Sequence, residues 1–310
     1  MGKDFLILSG TANPRLAAAI AGELGVPLGD CTVERFPDGE VTVHLEESVR
    51  GKEVFVVQPT SPPVNDHLME LLAFADAARR AAAWRITAVV PYFGYARADR
   101  RGERREPITA SLVATLMQTA GIEHVLTVDL HTPQIQGFFA IPVDAVSAVC
   151  TLADVLRDRL PRGTVVVSPD AGRVPLATEY ARRLDAPLAV LHKRRDSAAD
   201  TAVTHLVGEV EGRPCLVVDD MISTGGTLVQ SVRALRDAGA TGCSVAATHG
   251  LLLGDARERL AAAGIREVLV TDTVPVTPGE APPVRTASIA PLLAGVIRKM
   301  LSPGSPPHGA

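Results

Sequence analysis

Short, wholly apolar runs alternate along the chain with longer segments in which apolar positions recur every three or four residues. The runs Val54–Val57, Ile86–Val90, Val125–Val128, Thr164–Val167, Leu216–Val218 and Val268–Val270 are rich in β-branched residues and lack polar alternation. They predict strands buried on both faces, as in parallel sheets covered by helices. Between them, Asp66–Ala82, Ala110–Thr119, Val174–Arg183 and Thr227–Ala238 carry helical patterning. The segment 302–310 is rich in Pro, Gly and Ser and predicts a disordered tail.

The pattern also repeats. Gly51-Lys-Glu-Val-Phe-Val-Val-Gln-Pro-Thr60 resembles Gly212-Arg-Pro-Cys-Leu-Val-Val-Asp-Asp-Met221, and Ala120-Gly-Ile-Glu-His-Val-Leu126 resembles Ala263-Gly-Ile-Arg-Glu-Val-Leu269. The first half holds about 18 more residues between these landmarks, and the Arg-rich stretch Tyr92 to Glu106 falls among them. The expectation is two similar α/β halves, of which the first has gained an arm.

Composition narrows the class. A chain of 310 residues accommodates two domains, each able to bury a core. The net charge of -4 gives no whole-molecule reason for a nucleic-acid or anionic-membrane partner. The apolar run Phe5–Leu8 is too short for a signal peptide, and no stretch reaches membrane-spanning length, so a cytoplasmic protein is expected. Cys31, Cys150, Cys215 and Cys243 are far apart and form no CxxC pair. Buried reduced thiols are expected rather than a disulfide framework or zinc site.

The strongest local motif is Val217-Val-Asp-Asp-Met-Ile-Ser-Thr-Gly-Gly-Thr227. It reads as a buried strand, an acidic pair, a Gly-containing turn and a helix start. Free N–H groups at a helix N-terminus form an anion site. Gly225 and Gly226 allow close backbone approach, and Ser223, Thr224 and Thr227 add hydroxyls. Asp219 and Asp220 at the strand end suit ribose hydroxyls and, directly or through water, Mg²⁺. A plain strand–turn–helix with capping hydroxyls is the bland reading, and an acidic pair ending an apolar strand argues against it. Arg97, Arg100, Arg101, Arg104 and Arg105 crowd the arm, where a planar guanidinium fork suits phosphate as well as solvent. His131 follows an apolar strand and reads locally as structural or functional. Pro37-Asp38-Gly39 reads as a surface turn.

Taken together, the loop above and Arg35-Phe-Pro-Asp-Gly-Glu40, Asn65-Asp-His-Leu-Met-Glu-Leu-Leu72, Pro91-Tyr-Phe-Gly-Tyr-Ala-Arg97, Val128-Asp-Leu-His-Thr-Pro-Gln-Ile-Gln-Gly-Phe-Phe139, Ser168-Pro-Asp170 and Lys193-Arg-Arg195 form an ordered set. Over residues 3 to 300 the chain resembles the ribose-phosphate diphosphokinases, or phosphoribosyl pyrophosphate synthases. The resemblance implies an α/β fold of two similar phosphoribosyltransferase-type domains, each with a mainly parallel sheet flanked by helices. The expected division is 1–146, 147–301 and a tail, 302–310. It implies transfer of the β,γ-diphosphate of Mg-ATP to the C1 hydroxyl of ribose 5-phosphate.

By the same resemblance, Lys193 and Arg195 are catalytic residues of a flexible loop. Phe36, Asp38 and Glu40 of a neighbouring subunit hold adenine, Arg97 and His131 contact ATP, and His131 and Asp170 ligate Mg²⁺. Asp170, Asp219, Asp220, Ser223, Thr224, Gly225, Gly226 and Thr227 bind ribose 5-phosphate. Arg105 matches an effector-site residue of some members. Three positions depart from the commonest bacterial pattern: Ala98 stands for a usual glutamine, Ser223 for an aspartate and Arg173 for a frequent glycine. Hexamer and tetramer both remain compatible. Two rivals share part of this pattern. A phosphoribosyltransferase would need neither doubled halves nor His131, and a silent regulatory relative would have lost Lys193, Arg195, His131 or Asp170.

Overall fold

The structure, a computed structural model, describes residues 4–102, 105–195, 201–277 and 282–302. It divides into two compact units, 1–147 with 289–310, and 148–288. The first is built from β1 (Phe5–Ser9), α1 (Pro14–Leu24), β2 (Cys31–Arg35), β3 (Val41–Leu45), β4 (Glu53–Val57), α2 (Val64–Arg80), β5 (Arg85–Val90), α3 (Thr109–Ala120), β6 (His124–Val128) and β7 (Val143–Val146). Its main sheet runs β1-β4-β5-β6-β7 with every pair parallel, and β2–β3 is a separate antiparallel hairpin. All five residues of β4 and of β6 are buried, as the uninterrupted apolar runs predict.

The second unit contains α4 (Val149–Arg157), β8 (Val165–Ser168), α5 (Val174–Leu184), β9 (Leu188–Arg195), β10 (Thr201–Val207), β11 (Pro214–Ile222), α6 (Gly226–Asp237), β12 (Gly242–Gly250), α7 (Ala256–Ala262), β13 (Ile265–Thr271) and β14 (Val284–Ala287). Its sheet order is β10-β9-β8-β11-β12-β13-β14, antiparallel only at β10–β9.

Placed side by side, β1-β4-β5-β6-β7 and β8-β11-β12-β13-β14 are the same sheet. The repeat in the sequence is therefore a repeat of topology. Each half also inserts a hairpin between its first helix and second strand: β2–β3 in one, β9–β10 in the other. The extra residues of the first half lie between β5 and α3 and in the longer α3, where the Arg arm was expected.

One expected boundary differs. The last helix, α8 (Ala290–Leu301), packs on α1 and belongs with the first unit rather than with 147–301. Its buried face is Ala290, Leu293, Ala294 and Ile297. An amphipathic helix joins whichever apolar surface covers that stripe, and chain order does not dictate which. Residues 303–310 of the expected tail, and Arg104 of the arm, lie outside the described residues.

All four cysteines are free. Cys215 and Cys243, opposite each other on β11 and β12, are buried, and burial pushes both thiols up, Cys215 to about 12. Cys31 is half-buried and Cys150 is exposed, so the expectation of buried thiols holds for two of the four. No helix among the described residues is long and apolar enough to cross a membrane.

Candidate functional site

In the second unit the pairing of β11 with β8 stops at Val217↔Val167, while its pairing with β12 runs on to Ile222↔Gly250. Asp219 and Asp220 thus lie inside a nine-residue strand, longer than the predicted Leu216–Val218, yet beyond the end of their β8 neighbour. One flank of the pair has no strand partner where β8 has finished, at the carboxyl ends of the parallel strands where such sheets form a crevice.

Asp170 enters that crevice from the turn after β8. Its Oδ1 accepts from the backbone N–H of Gly172 at 2.9 Å and of Arg173 at 3.1 Å, capping a short 3₁₀ turn. Ser168 Oγ donates to the Asp170 carbonyl at 2.7 Å. The Asp220 N–H donates to Asp219 Oδ1 at 2.8 Å, and Arg173 reaches both carboxylates. Burial holds the Asp219 carboxyl well above the ordinary carboxylate value. The Asp220 side chain adds to this by hydrogen bonding and repulsion, and Arg173 opposes it.

The strand then turns through Ser223 and Thr224. The chain is held on the β12 side by bonds from Leu252 N to the Ile222 carbonyl and from Leu253 N to the Ser223 carbonyl. Gly225 has φ +74°, a left-handed conformation that glycine adopts without strain, and it caps α6. No side chain caps α6, and the space in front of Gly226 is open. The first α6 N–H groups are thus without a side-chain cap, Thr227 is exposed and Ser223 is half-buried. The structure brings together Asp219 and Asp220, bridged by Arg173, whose backbone N–H donates to the Asp170 carboxylate, and the 223–227 loop follows directly on their strand.

In the first unit the topologically matching position is filled. Gln58 stands where the second half has Asp219, and its Oε1 accepts from Ala12 N at 3.1 Å. The buried Glu70 of α2 accepts from Gln58 Nε2 at 2.9 Å, from Thr11 N and Thr11 Oγ1 at 2.6 Å each, and from Arg35 Nη2 at 3.1 Å. A Cβ on Gly10 would lie 2.2 Å from Gln58 Oε1, so the approach requires glycine. The sequence comparison marks this loop as having lost its own carboxylates. It does not reveal that a glutamate from the following helix closes the position.

Arg35 ties that network to the hairpin. It also lies 3.5 Å from Asp66. At the hairpin turn, Phe36 N donates to the Glu40 carbonyl at 2.9 Å, and Glu40 N to Asp38 Oδ1 at 3.1 Å. Phe36 is 46% exposed, an unusual state for a large aromatic ring. Arg97 is exposed on the arm, and His131 is half-buried after β6. A hydrogen bond of 2.7 Å from Thr132 Oγ1 to Asp99 Oδ2 joins the arm to the His131 segment. Lys193 and Arg195 lie on the last stretch of β9, whose backbone pairs with β10. A strand runs through the cations where the sequence suggests a loop. Their side chains, and residues 196–200, lie outside the described residues.

Comparison with known proteins agrees with this organisation. The family model for the N-terminal domain of ribose phosphate pyrophosphokinase matches residues 5–121, and that for the phosphoribosyl synthetase-associated domain matches residues 202–305. The ribose-phosphate pyrophosphokinase of Maricaulis maris is 50% identical over 297 residues, covering 95% of this chain and 96% of its own. The chain belongs to the ribose-phosphate pyrophosphokinase family. It is accordingly a diphosphate-transferring enzyme and not a free-standing phosphoribosyltransferase. The same family name is carried by the protein of Caldanaerobacter subterraneus, 49% identical over 95% of this chain and 94% of its own. The crystal structure of phosphoribosylpyrophosphate synthetase from Mycobacterium smegmatis superposes with a TM-score of 0.90 at 45% identity. It covers 96% of this chain and 99% of the other.

Proposed function

We propose that the second unit binds ribose 5-phosphate, with Asp170, Asp219 and Asp220 accepting from its hydroxyls and residues 223–227 receiving its phosphate. The observation that carries this reading is the acidic pair standing past the end of β8, followed by the uncapped start of α6. Two acceptors followed by a cluster of N–H and O–H donors match a sugar with a phosphate at one end.

ATP is held by Arg97 and His131, and its adenine by Phe36, Asp38 and Glu40 of a neighbouring subunit. A functional oligomer follows from that sharing. The 46% exposure of Phe36 supports it, because a stacking ring has to be available. The C1 hydroxyl oxygen attacks the β-phosphorus in line, the bond from that phosphorus to the oxygen bridging to the α-phosphate breaks, and AMP leaves. Lys193 and Arg195 direct positive charge at the diphosphate in transit.

No group of three metal-ligating side chains gathers among the described residues; Mg²⁺ needs only one or two carboxylates where phosphates complete its shell. Asp170 would be one of its ligands, and when bound it neutralises phosphate charge. The protein works in the cytoplasm, without nucleic acid or membrane. The test is AMP release from ATP with and without ribose 5-phosphate. Asp220→Asn is expected to raise the requirement for ribose 5-phosphate at least ~10-fold, about 1.4 kcal/mol. Unchanged kinetics would remove the acidic pair from the site.

A further inference from the structure

Arg173 heads α5, and its backbone is held by the Asp170 carboxylate. Its side chain spans the crevice: Nε lies 3.2 Å from Asp219 Oδ1, and Nη2 lies 3.2 Å from Asp220 Oδ1. The three side chains are only 17%, 12% and 6% exposed, so solvent screens these contacts poorly. The geometry is specific. One planar fork supplies one donor to each of two neighbouring carboxylates.

The vicinal hydroxyls of a pentose present the same thing chemically, two adjacent donors about one carbon–carbon bond apart. Guanidinium and diol therefore ask for the same acceptor atoms. An unopposed pair of adjacent buried carboxylates repels itself, which is the electrostatic reason a cation settles there. Being covalently part of the chain and anchored beside Asp170, Arg173 is present at the pair at a high effective concentration.

We infer that Arg173 is a resident counter-ion of the sugar site, occupying the acceptors of Asp219 and Asp220 until the vicinal hydroxyls of the sugar displace it. The inference rests on the assignment of the acidic pair to ribose 5-phosphate. Part of the sugar's binding free energy is then consumed in moving the guanidinium. The measured affinity is lower than the intrinsic one by the fraction of molecules in which the pair is open. A ligand lacking one of the two hydroxyls cannot replace both donors and leaves a buried carboxylate unsatisfied, so the exchange also favours the intact diol.

Binding of ribose 5-phosphate is measured by calorimetry on the full chain without nucleotide. Arg173→Gln keeps a polar side chain but removes the charge and the fork, and it is expected to bind the sugar at least about fivefold tighter. Arg173→Lys, which retains a cation but not the planar fork, should fall between wild type and the Gln variant. A Gln variant that binds no tighter than wild type overturns the inference. The side-chain Nε–H resonance of Arg173, identified as the one lost in Arg173→Lys, provides an independent readout in the wild-type protein. It is expected to shift on saturation with sugar, and an unmoved signal also overturns the inference. Asp220→Asn separates the two levels of argument. If it binds the sugar normally, the assignment of the acidic pair fails and the inference fails with it. If it weakens binding while Arg173→Gln gives no gain, only the counter-ion role fails.

Discussion

Asp219 and Asp220 crowd two carboxyls against the single cation Arg173 in a crevice from which water is largely excluded. Such an arrangement serves binding at the expense of stability. Because burial and Asp220 raise the Asp219 carboxyl above 3.8, the folded state binds that proton more tightly than the unfolded chain does. The resulting stabilisation is full below the unfolded value and is lost as pH rises through the elevated folded one. Asp219→Asn leaves the cluster neutral and is expected to raise the melting temperature by ~2–4 °C at pH 8, an effect of about 1 kcal/mol. The gain should shrink as pH falls toward 4, and scanning calorimetry across that range checks it. An equal shift at every pH would mean that charge is not the cause. On the proposed reading, Lys193 acts in the chemistry rather than the fold. Lys193→Ala is expected to lower kcat by at least ~10²-fold, about 2.7 kcal/mol, with little change in Mg-ATP affinity. Steady-state kinetics beside equilibrium ATP binding separate these, and a loss confined to affinity would make Lys193 a binding residue.

Among the elements, the two inserted hairpins occupy matching places in the two halves and have taken different courses. β9–β10 joins the edge of its sheet, and β2–β3 stands as a separate pair. The free hairpin needs another anchor, and Arg35 provides it through the fully buried Glu70. Glu70 has three donors from outside the hairpin, Thr11 N, Thr11 Oγ1 and Gln58 Nε2, so it is fixed before Arg35 arrives. Arg35→Ala is therefore expected to leave the sheet intact while loosening the Phe36–Glu40 turn, raising KM for ATP by about 10-fold. The control is Arg35→Lys, which keeps the charge but not the fork and should fall between. An unchanged KM would show that the turn is set by its own backbone bonds. None of this was legible from the motif Arg35–Glu40, which reads locally as a turn. Glu70 lies 35 residues away on a helix patterned by its apolar face.

At the scale of the molecule, the division of labour between the halves and between subunits meets in one test. Phe36→Ala and Asp220→Ala are each expected to be nearly inactive alone. Mixed oligomers should regain part of the activity, because some sites would contain neither lesion. Verified mixing without recovery would exclude a shared site. Sequence alone determined six of the buried strands, four of the helices and the doubled pattern, but not the hairpins or the last helix. Buried parallel strands must be apolar throughout, helices must show a stripe, and an internal repeat of both leaves few other folds. It also marked the acidic loop, because two carboxylates ending an apolar run conflict with burial unless a ligand resolves the conflict. Tertiary structure alone decided that α8 joins the first unit, that Glu70 fills the position facing Gln58, and that Arg173 bridges Asp219 and Asp220. Local pattern records which side of a segment avoids water. It carries no record of which distant charge a buried carboxylate will meet, because that partner is chosen only when the strands and helices pack.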